Sequence, residues 1–365
     1  MNAQAAQAPS GQRPPGALTK AFLGLGRGSA LRTVIDIVVA IVVALAILTI
    51  FFLILGADPG KAFKGMWEGA VGNNIAFGQT LLVTSPLIFC SLAAAIPFSA
   101  RIFNIGGEGQ LVAGAVGGTA VAFWCAGLPG TLLIILCLLA AIVAGALWSL
   151  IAGLLKAYAS ANEVIVTLML NFVAALLANY VINGAWRDPI APQTETLPSG
   201  SALPTILGNS GANIGVLIAI AAAIVCAVLL YRTRLGFGIR ATGLSPTAAR
   251  LSGFGTVATI LAVFAIAGGA AGLGGGVEVL GNHHALVEGI ASNYGFTGIA
   301  VALVARLNPI AAVPVAFVFA GITVGANTLP ATTGVSASAS LIVVAVFVLT
   351  LLAMHVIRVA YPEVK

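Results

Sequence analysis

Long apolar runs separated by short polar segments recur along almost the whole chain. Windows of about 20 apolar residues, the length that crosses a bilayer as a helix, predict nine membrane-spanning helices. The windows cover 33–55, 76–99, 107–126, 131–155, 164–183, 213–231, 256–276, 309–328 and 338–357, and a shorter apolar run at 295–305 is a candidate for a tenth crossing. The pattern is typical of an all-α polytopic membrane protein.

The distribution of basic residues favours ten crossings over nine. With ten crossings and a cytoplasmic N-terminus, 13 of the 16 Lys and Arg residues lie on the cytoplasmic side, and only Lys61, Lys64 and Arg187 lie outside. A nine-helix arrangement would put the C-terminal Arg358 and Lys365 outside, against the positive-inside rule. We therefore predict about ten transmembrane helices with both termini cytoplasmic.

Composition excludes a soluble catalytic domain and leaves one transmembrane domain with two short tails. Of the 365 residues, 60% are hydrophobic and 7% are charged, against roughly 25% charged residues in soluble proteins. We expect residues 1–32, which are rich in Pro, Gly and Ala, to form a disordered cytoplasmic tail, residues 33–358 to form a single transmembrane domain, and residues 359–365 to form a cytoplasmic C-terminal tail. The net charge of +6 comes from basic residues scattered between the spans, which argues against a nucleic-acid partner.

A six-residue motif occurs twice, each time at the start of an apolar segment. Asn104–Gly109 reads NIGGEG and Asn293–Gly298 reads NYGFTG, so both follow the pattern N-x-G-x-x-G, 189 residues apart. In the ten-helix arrangement the first copy opens its helix from the cytoplasmic side and the second copy from the outside. This relation predicts an inverted repeat of five plus five helices, with repeat one at about 33–183, an external loop at 184–212 and repeat two at about 213–358.

Folds with inverted repeats place their substrate pathway where helices are broken, because irregular backbone at depth is tolerated only beside a cavity or inside protein. We expect Asn104 and Asn293 to cap the helices that follow them. Glu108 has two interpretations: it lines a polar pathway or gate, or it lies at the cytoplasmic headgroup level, paired with Arg101. The pathway candidates are Asn104, Glu108, Gln110, Asn171, Asn293, Tyr294, Phe296 and Thr297.

Four other features carry less specific signals. Asn162 and Glu163 are typical of a helix cap with an acidic first turn, with a gate as the alternative. His283 and His284 lack a third ligand at suitable spacing, so no metal site is predicted. The glycine run at 268–278 lacks the Lys-Ser/Thr of a phosphate-binding loop and favours close helix packing. The four cysteines lie inside apolar runs and are expected to act as small hydrophobic residues.

Three sequence blocks, FNIGGEGQLVAGA, SANEVIVTLMLNFVA and YGFTGIAVALVARLNPI, resemble the membrane permease subunit of ABC importers in the ribose, branched-chain amino acid and nucleoside class. The resemblance runs from about residue 75 to 351 and is closest to nucleoside permeases that work with a basic-membrane-protein type binding lipoprotein. It implies a cell (inner) membrane location, an ATP-binding cassette subunit that binds ATP and Mg, an extracytoplasmic substrate-binding protein and a second, often non-identical, permease subunit. This chain itself would bind no cofactor and carry no catalytic residue.

The resemblance also gives a role to the basic segment at 231–255. Its residues match the family's coupling-helix pattern, which docks on the ATPase: Gly236, Gly238, Arg240, Ala241, Gly243, Ala248, Ala249, Arg250 and Gly253. Small residues there would allow close docking, and the two arginines would pair with acidic residues. The alternative is an ordinary basic cytoplasmic loop. Within it, Ser245 and Pro246 predict a short helix with a serine N-cap.

The residues alone leave the energy source and the substrate open. A secondary transporter coupled to H⁺ or Na⁺ through Glu108 or Glu163 is the competing class, with a passive channel third. An intramembrane enzyme is disfavoured, because no constellation of nucleophile, base or metal ligands is visible. Asn, Gln and aromatic side chains, among them Phe103, suit a nucleoside, but they also suit a ribose-like sugar. Branched-chain amino acids remain a further alternative within the family.

Overall fold

In the computed structural model, which describes residues 29–360, every regular element is a helix. The α-helices are α1 (Ser29–Ile54), α2 (Pro59–Val71), α3 (Asn74–Ser99), α4 (Gly107–Trp124), α5 (Gly130–Ala159), α6 (Glu163–Ile182), α7 (Gly215–Arg232), α8 (Arg234–Leu244), α9 (Pro246–Leu251), α10 (Thr256–Glu278), α11 (Tyr294–Val304), α12 (Pro309–Ala326), α13 (Leu329–Thr333) and α14 (Ala337–Ala360). A π-helical turn, Val279–His283, continues α10, and β-structure in the described part is limited to three isolated bridges in loops.

Every apolar window of the sequence falls on a helix, but the helices differ in their ability to cross a bilayer. Within the described residues, six are long and apolar enough to span it, namely α3, α5, α6, α7, α10 and α12, and a seventh span results if the bent pair α1 and α2 counts as one. The tenth predicted crossing is α11, which has 11 residues. At 1.5 Å per residue it covers about half of a 30 Å hydrocarbon core. The chain is an all-helical polytopic membrane protein.

Two boundaries near the N-terminus differ from the sequence expectation. Helix α1 begins at Ser29, inside the segment predicted as a tail, while the rest of that tail (1–28) and residues 361–365 of the C-terminal tail lie outside the described residues. Helix α2 was not predicted; it occupies the first polar connection and turns 119° from α1. Asp58 caps it by accepting hydrogen bonds from the amides of Gly60 and Lys61, with Pro59 at the first helical position.

The centre of the fold is a crossing of α10 with α5 and α4 at very short range. A Cβ atom on Gly272 would lie 2.9 Å from the Cα of Gly145, and a Cβ on Gly145 would lie 2.6 Å from the Cα of Gly272. Gly114 of α4 meets the backbone of Gly272 from the other side. Since no residue with a side chain fits at these contacts, the glycine run of α10 serves close helix packing, as the sequence predicted.

Candidate functional site

The two copies of the repeated motif meet in the structure, and Glu108 joins them. Its carboxylate, in the first turn of α4, accepts a hydrogen bond from the amide of Asn293 at 2.9 Å and one from the amide of Gly295 at 2.7 Å. A Cβ atom on Gly295 would lie 2.7 Å from the Cα of Glu108, so glycine permits the contact. Helices α4 and α11 thus meet N-terminus to N-terminus. The carboxylate satisfies free amides of α11 and faces the positive ends of both helix dipoles.

This geometry corrects the expected capping roles of the two asparagines. The N-cap of α4 is Gly106, and Asn104 instead accepts a hydrogen bond from the Gly106 amide at 3.0 Å. Asn293 does occupy the N-cap position of α11, but in the left-handed conformation (φ 62°) and without a capping bond from its side chain. Sequence reasoning missed that the cap of α11 comes from a residue 185 positions earlier, because no local pattern encodes it.

The alternative that pairs Glu108 with Arg101 is wrong. Both carboxylate oxygens of Glu108 are engaged by backbone amides of the α11 N-terminus. Arg101 follows the end of α3, where it is exposed and adopts a left-handed backbone conformation (φ 55°). Glu108 therefore belongs to the junction between the two motif copies.

Three buried polar side chains hold the α4 side of this junction. The amides of Asn104 and Gln110 bond to each other through two contacts of 2.9 and 3.2 Å. Asn171 of α6 accepts from the Gly109 amide at 2.8 Å and donates to the Ile105 carbonyl at 3.0 Å. These side chains are at most 7% exposed, so the structure places these three predicted pathway residues behind the junction, with their polar atoms engaged by protein.

The other predicted pathway residues line an open groove beside the α11 N-terminus. The groove has a volume of 420 Å³, within the range of about 300–1,000 Å³ that holds small ligands. Its walls come from α3, α11, α12 and α14, and the residues that line it include no charged side chain. Its polar and aromatic lining residues are Ser292, Asn293, Tyr294, Phe296, Thr297, Thr323, Asn327 and Ser340.

Sequence reasoning had missed four of these groove residues: Ser292, Thr323, Asn327 and Ser340. Ser292 directly precedes the second motif copy. Thr323 and Asn327 belong to the C-terminal end of α12, and Ser340 to the start of α14. Thr323, Asn327 and Ser340 lie in apolar windows, where a single polar residue does not indicate a binding site. The predicted aromatic Phe103 is not among the groove residues and instead packs on Phe98, with 5.2 Å between the ring centroids.

The basic segment forms two short helices, α8 and α9, joined at Ser245. The predicted cap is confirmed: Ser245 accepts a hydrogen bond from the Ala248 amide at 3.3 Å, and Pro246 is the first residue of α9. The exposed surface of this pair combines Arg250 with two large apolar side chains, Leu244 (80% exposed) and Leu251 (86% exposed). Exposed leucines beside an arginine are typical of a surface that binds another protein.

The coupling candidates divide into residues that pack inside the chain and residues that remain exposed. Gly236, Gly238, Gly243 and Ala249 are buried, Ala241 and Arg240 are half-buried, and Ala248, Arg250 and Gly253 are exposed. The three buried glycines make close approaches to this chain's own backbone or to the ring of Phe254. The guanidinium of Arg240 lies over the ring of Tyr231, 5.4 Å from its centroid. Arg250 is thus the more accessible of the two arginines.

Asn162 and Glu163 form the helix cap that the sequence favoured over a gate. Asn162 accepts a hydrogen bond from the amide of Val164 at 3.0 Å and precedes the first residue of α6. Glu163 pairs with Lys156 at 2.8 Å. Both polar groups are therefore engaged at the connection between α5 and α6.

Comparison with known proteins identifies the family of this chain. Residues 76–353 match the family model described as branched-chain amino acid transport system, permease component. The chain is similar to the guanosine ABC transporter permease protein of Bacillus subtilis (32% identity over 90% of this chain and 95% of the relative). It is similar to the glucose ABC transporter permease protein of Haloferax volcanii (34%, 86% of both chains) and to the nucleoside ABC transporter permease protein NupB of Lactococcus lactis (30%, 92% and 94%). No solved structure matches the chain.

The match covers most of the chain, including the junction, the groove and the coupling segment. Members of this family are transport subunits of ABC importers, whose ATPase activity resides on a separate subunit, so ATP-driven transport replaces ion-coupled transport as the mechanism. The chain therefore belongs to the permease components of the branched-chain amino acid transport family and is a multi-pass protein of the cell membrane.

Proposed function

We propose that this chain forms the translocation pathway of an ATP-driven nucleoside importer. The assignment of nucleosides as the substrate rests on two relatives, one named for guanosine and one for nucleosides, each aligned over at least 90% of this chain. A neutral groove that combines aromatic and hydroxyl side chains supports it. A nucleoside offers a base that stacks on aromatic rings and a ribose that bonds to hydroxyl and amide groups.

A sugar is the second candidate substrate, because the glucose permease relative is 34% identical over 86% of this chain. The test is uptake of labelled guanosine by cells that carry the intact importer and by cells that lack only this gene. Guanosine uptake should disappear with the gene, and excess unlabelled adenosine or cytidine should compete where glucose and leucine do not. Guanosine uptake that is unaffected by the deletion, together with competition by glucose and not by nucleosides, would transfer the assignment to sugars.

The proposed pathway follows the groove and is organised by the junction of α4 and α11. Asn293, Tyr294, Phe296 and Thr297 face the substrate as groove-lining residues. Asn104, Glu108, Gln110 and Asn171 act one layer behind, since their bonds fix the two helix N-termini. In this assignment the second group shapes the pathway without touching the substrate.

The partners follow from the family: an ATP-binding subunit that holds ATP and Mg, and an extracytoplasmic substrate-binding protein. We further propose a second, non-identical permease. Two organisms each contribute a pair of similar permeases, NupP with NupQ in Bacillus subtilis and NupB with NupC in Lactococcus lactis. The coupling surface on the ATPase side comprises Arg250 with the exposed leucines of α8 and α9.

For the architecture we propose a five-plus-five inverted repeat, about 33–183 and 213–358, in which α11 is the helical half of its crossing and the non-helical residues before it complete that crossing. Both termini and the segment 231–255 are cytoplasmic, and the loop 184–212 is external. Two exposed positions test this arrangement in a cysteine-free background. A membrane-impermeant maleimide should label Ser199→Cys on intact cells and Thr247→Cys only after permeabilisation. The reverse pattern would overturn the topology.

A further inference from the structure

A second buried carboxylate lies at the far end of α10, away from the coupling segment. Glu278 is the last residue of α10, and its side chain is 2% exposed. Its Oε2 accepts a hydrogen bond from the Asn282 amide at 3.1 Å and lies 3.5 Å from Nε2 of His283. The Asn282 amide is neutral, and the His283 imidazole carries a charge only when it is protonated, so beside a neutral His283 an ionised Glu278 needs another counter-charge at this depth.

The cavity beside Glu278 is lined by a buried hydroxyl group that has no hydrogen-bond partner among the described residues. This group is the hydroxyl of Ser85. Leu82 lines the same cavity, and Pro86, four residues later in α3, has no N–H to give to the Leu82 carbonyl. Asn282 also lines the cavity, and its side-chain NH₂ group donates to Glu278.

The backbone around Glu278 adds to the negative potential. The cavity lies near the C-terminal end of the helix that α10 and the following π-helical turn form together, toward the negative end of the helix dipole. The chain continues into the π-helical turn Val279–His283, and such turns are frequent at functional sites. A carboxylate, a hydroxyl and a backbone carbonyl near a helix end are the kind of donor set that membrane proteins offer to alkali cations.

Size selects among the cations. The cavity has no space for a sphere as large as a water molecule, so the ion must enter without its hydration shell. Mg²⁺ gives up its water reluctantly, and Ca²⁺ requires six to eight oxygen ligands. Among the described residues no group of three His, Cys, Asp or Glu side chains stands close enough to hold a transition metal. A bare Na⁺ ion, smaller than water and singly charged, fits the charge of one carboxylate.

We propose that Glu278, Ser85, Asn282 and the Leu82 carbonyl bind one Na⁺ ion, which ties the end of α10 to α3. The ion holds the two helices together and is not transported. Its site is separate from the groove beside α11, so the proposal goes beyond the transport function and stands or falls independently of it.

The test uses the full-length chain, purified in detergent with the subunits that copurify. Binding of radioactive Na⁺ is measured directly, and the thermal unfolding midpoint is followed as NaCl replaces choline chloride at constant ionic strength. We expect saturable binding of one Na⁺ per chain and a midpoint that rises with Na⁺ more than with K⁺. Glu278→Gln should abolish both effects, whereas Glu68→Gln, an exposed carboxylate on α2, should retain them.

Ser85→Ala keeps the test decisive if the Glu278 variant fails to fold. Because the Ser85 hydroxyl has no hydrogen-bond partner within residues 29–360, removing it should leave the midpoint in choline chloride unchanged or raised. The same substitution should weaken Na⁺ binding by about 10- to 100-fold, as loss of a supporting ligand does at other ion sites. Equal midpoints in Na⁺ and choline for the wild type, or a Na⁺ effect of wild-type size in Ser85→Ala, would overturn the proposal.

Discussion

Replacing Glu108 with glutamine is expected to open the contact between the N-termini of α4 and α11. The carboxylate accepts two backbone hydrogen bonds, from Asn293 and Gly295. A glutamine side chain has one acceptor oxygen, and its NH₂ group would face the second amide with donor against donor. The substitution therefore removes one bond outright and converts the other from a charge-assisted bond to a neutral one.

The magnitude follows from these two bonds. A hydrogen bond to a charged group contributes about 1.5–3 kcal/mol and a neutral one about 1 kcal/mol. Losing one charged bond and weakening the other costs about 2–4 kcal/mol, before any loss of dipole stabilisation. At 1.4 kcal/mol per factor of ten, the junction should open about 30- to 700-fold more often.

Hydrogen exchange measures this opening directly. In nanodiscs, the amides of a peptide covering 292–298 should exchange about 30- to 700-fold faster in Glu108→Gln than in the wild type. Glu68→Gln is the matched control, because Glu68 is exposed and its partner Lys64 is 3.7 Å away, an arrangement that contributes little to stability. Nucleoside uptake should also fall in Glu108→Gln as the protection of these amides against exchange is lost. Unchanged exchange at 292–298 would refute the junction assignment.

Three further substitutions probe the rest of the account. Gly272→Ala should reduce the yield of monodisperse protein at a cost of about 1–3 kcal/mol, whereas Gly127→Ala, with nothing within 4 Å of the new Cβ, should behave as wild type in size-exclusion chromatography. Asn171→Ala strands two backbone groups and should lower the unfolding free energy by about 2–5 kcal/mol, and a wild-type denaturation midpoint would contradict its supporting role. Arg250→Glu should remove the ATP-binding subunit from the purified complex without loss of membrane insertion, while Arg187→Glu keeps it; retention in both variants would sink the coupling assignment.

Apolar periodicity predicted where the helices lie because the bilayer imposes the same requirement on every span. The same argument overestimated how much of the bilayer α11 spans. An apolar run of 11 residues suggested a crossing, but half-spans are equally apolar. Helix α2 escaped prediction because an amphipathic helix that follows a sharp turn has no 20-residue window.

The chemistry of the junction was only partly accessible from the sequence. The two motif copies marked residues that meet at the junction. Their partners lay elsewhere: the cap of α11 is Glu108, and the support for α4 is Asn171. Contacts between residues more than 60 positions apart leave no local pattern. The same limit explains why the Ser85 and Glu278 cavity could not be foreseen from residues in separate apolar runs.

The measurement that tests the central claim most directly is affinity purification of the tagged chain from its own membranes in mild detergent, with identification of every copurifying protein. The account predicts an ATP-binding cassette subunit and a second, similar permease, and guanosine uptake by the reconstituted complex that requires ATP. Reproducible purification of the chain alone, with uptake that an ionophore collapses, would contradict it.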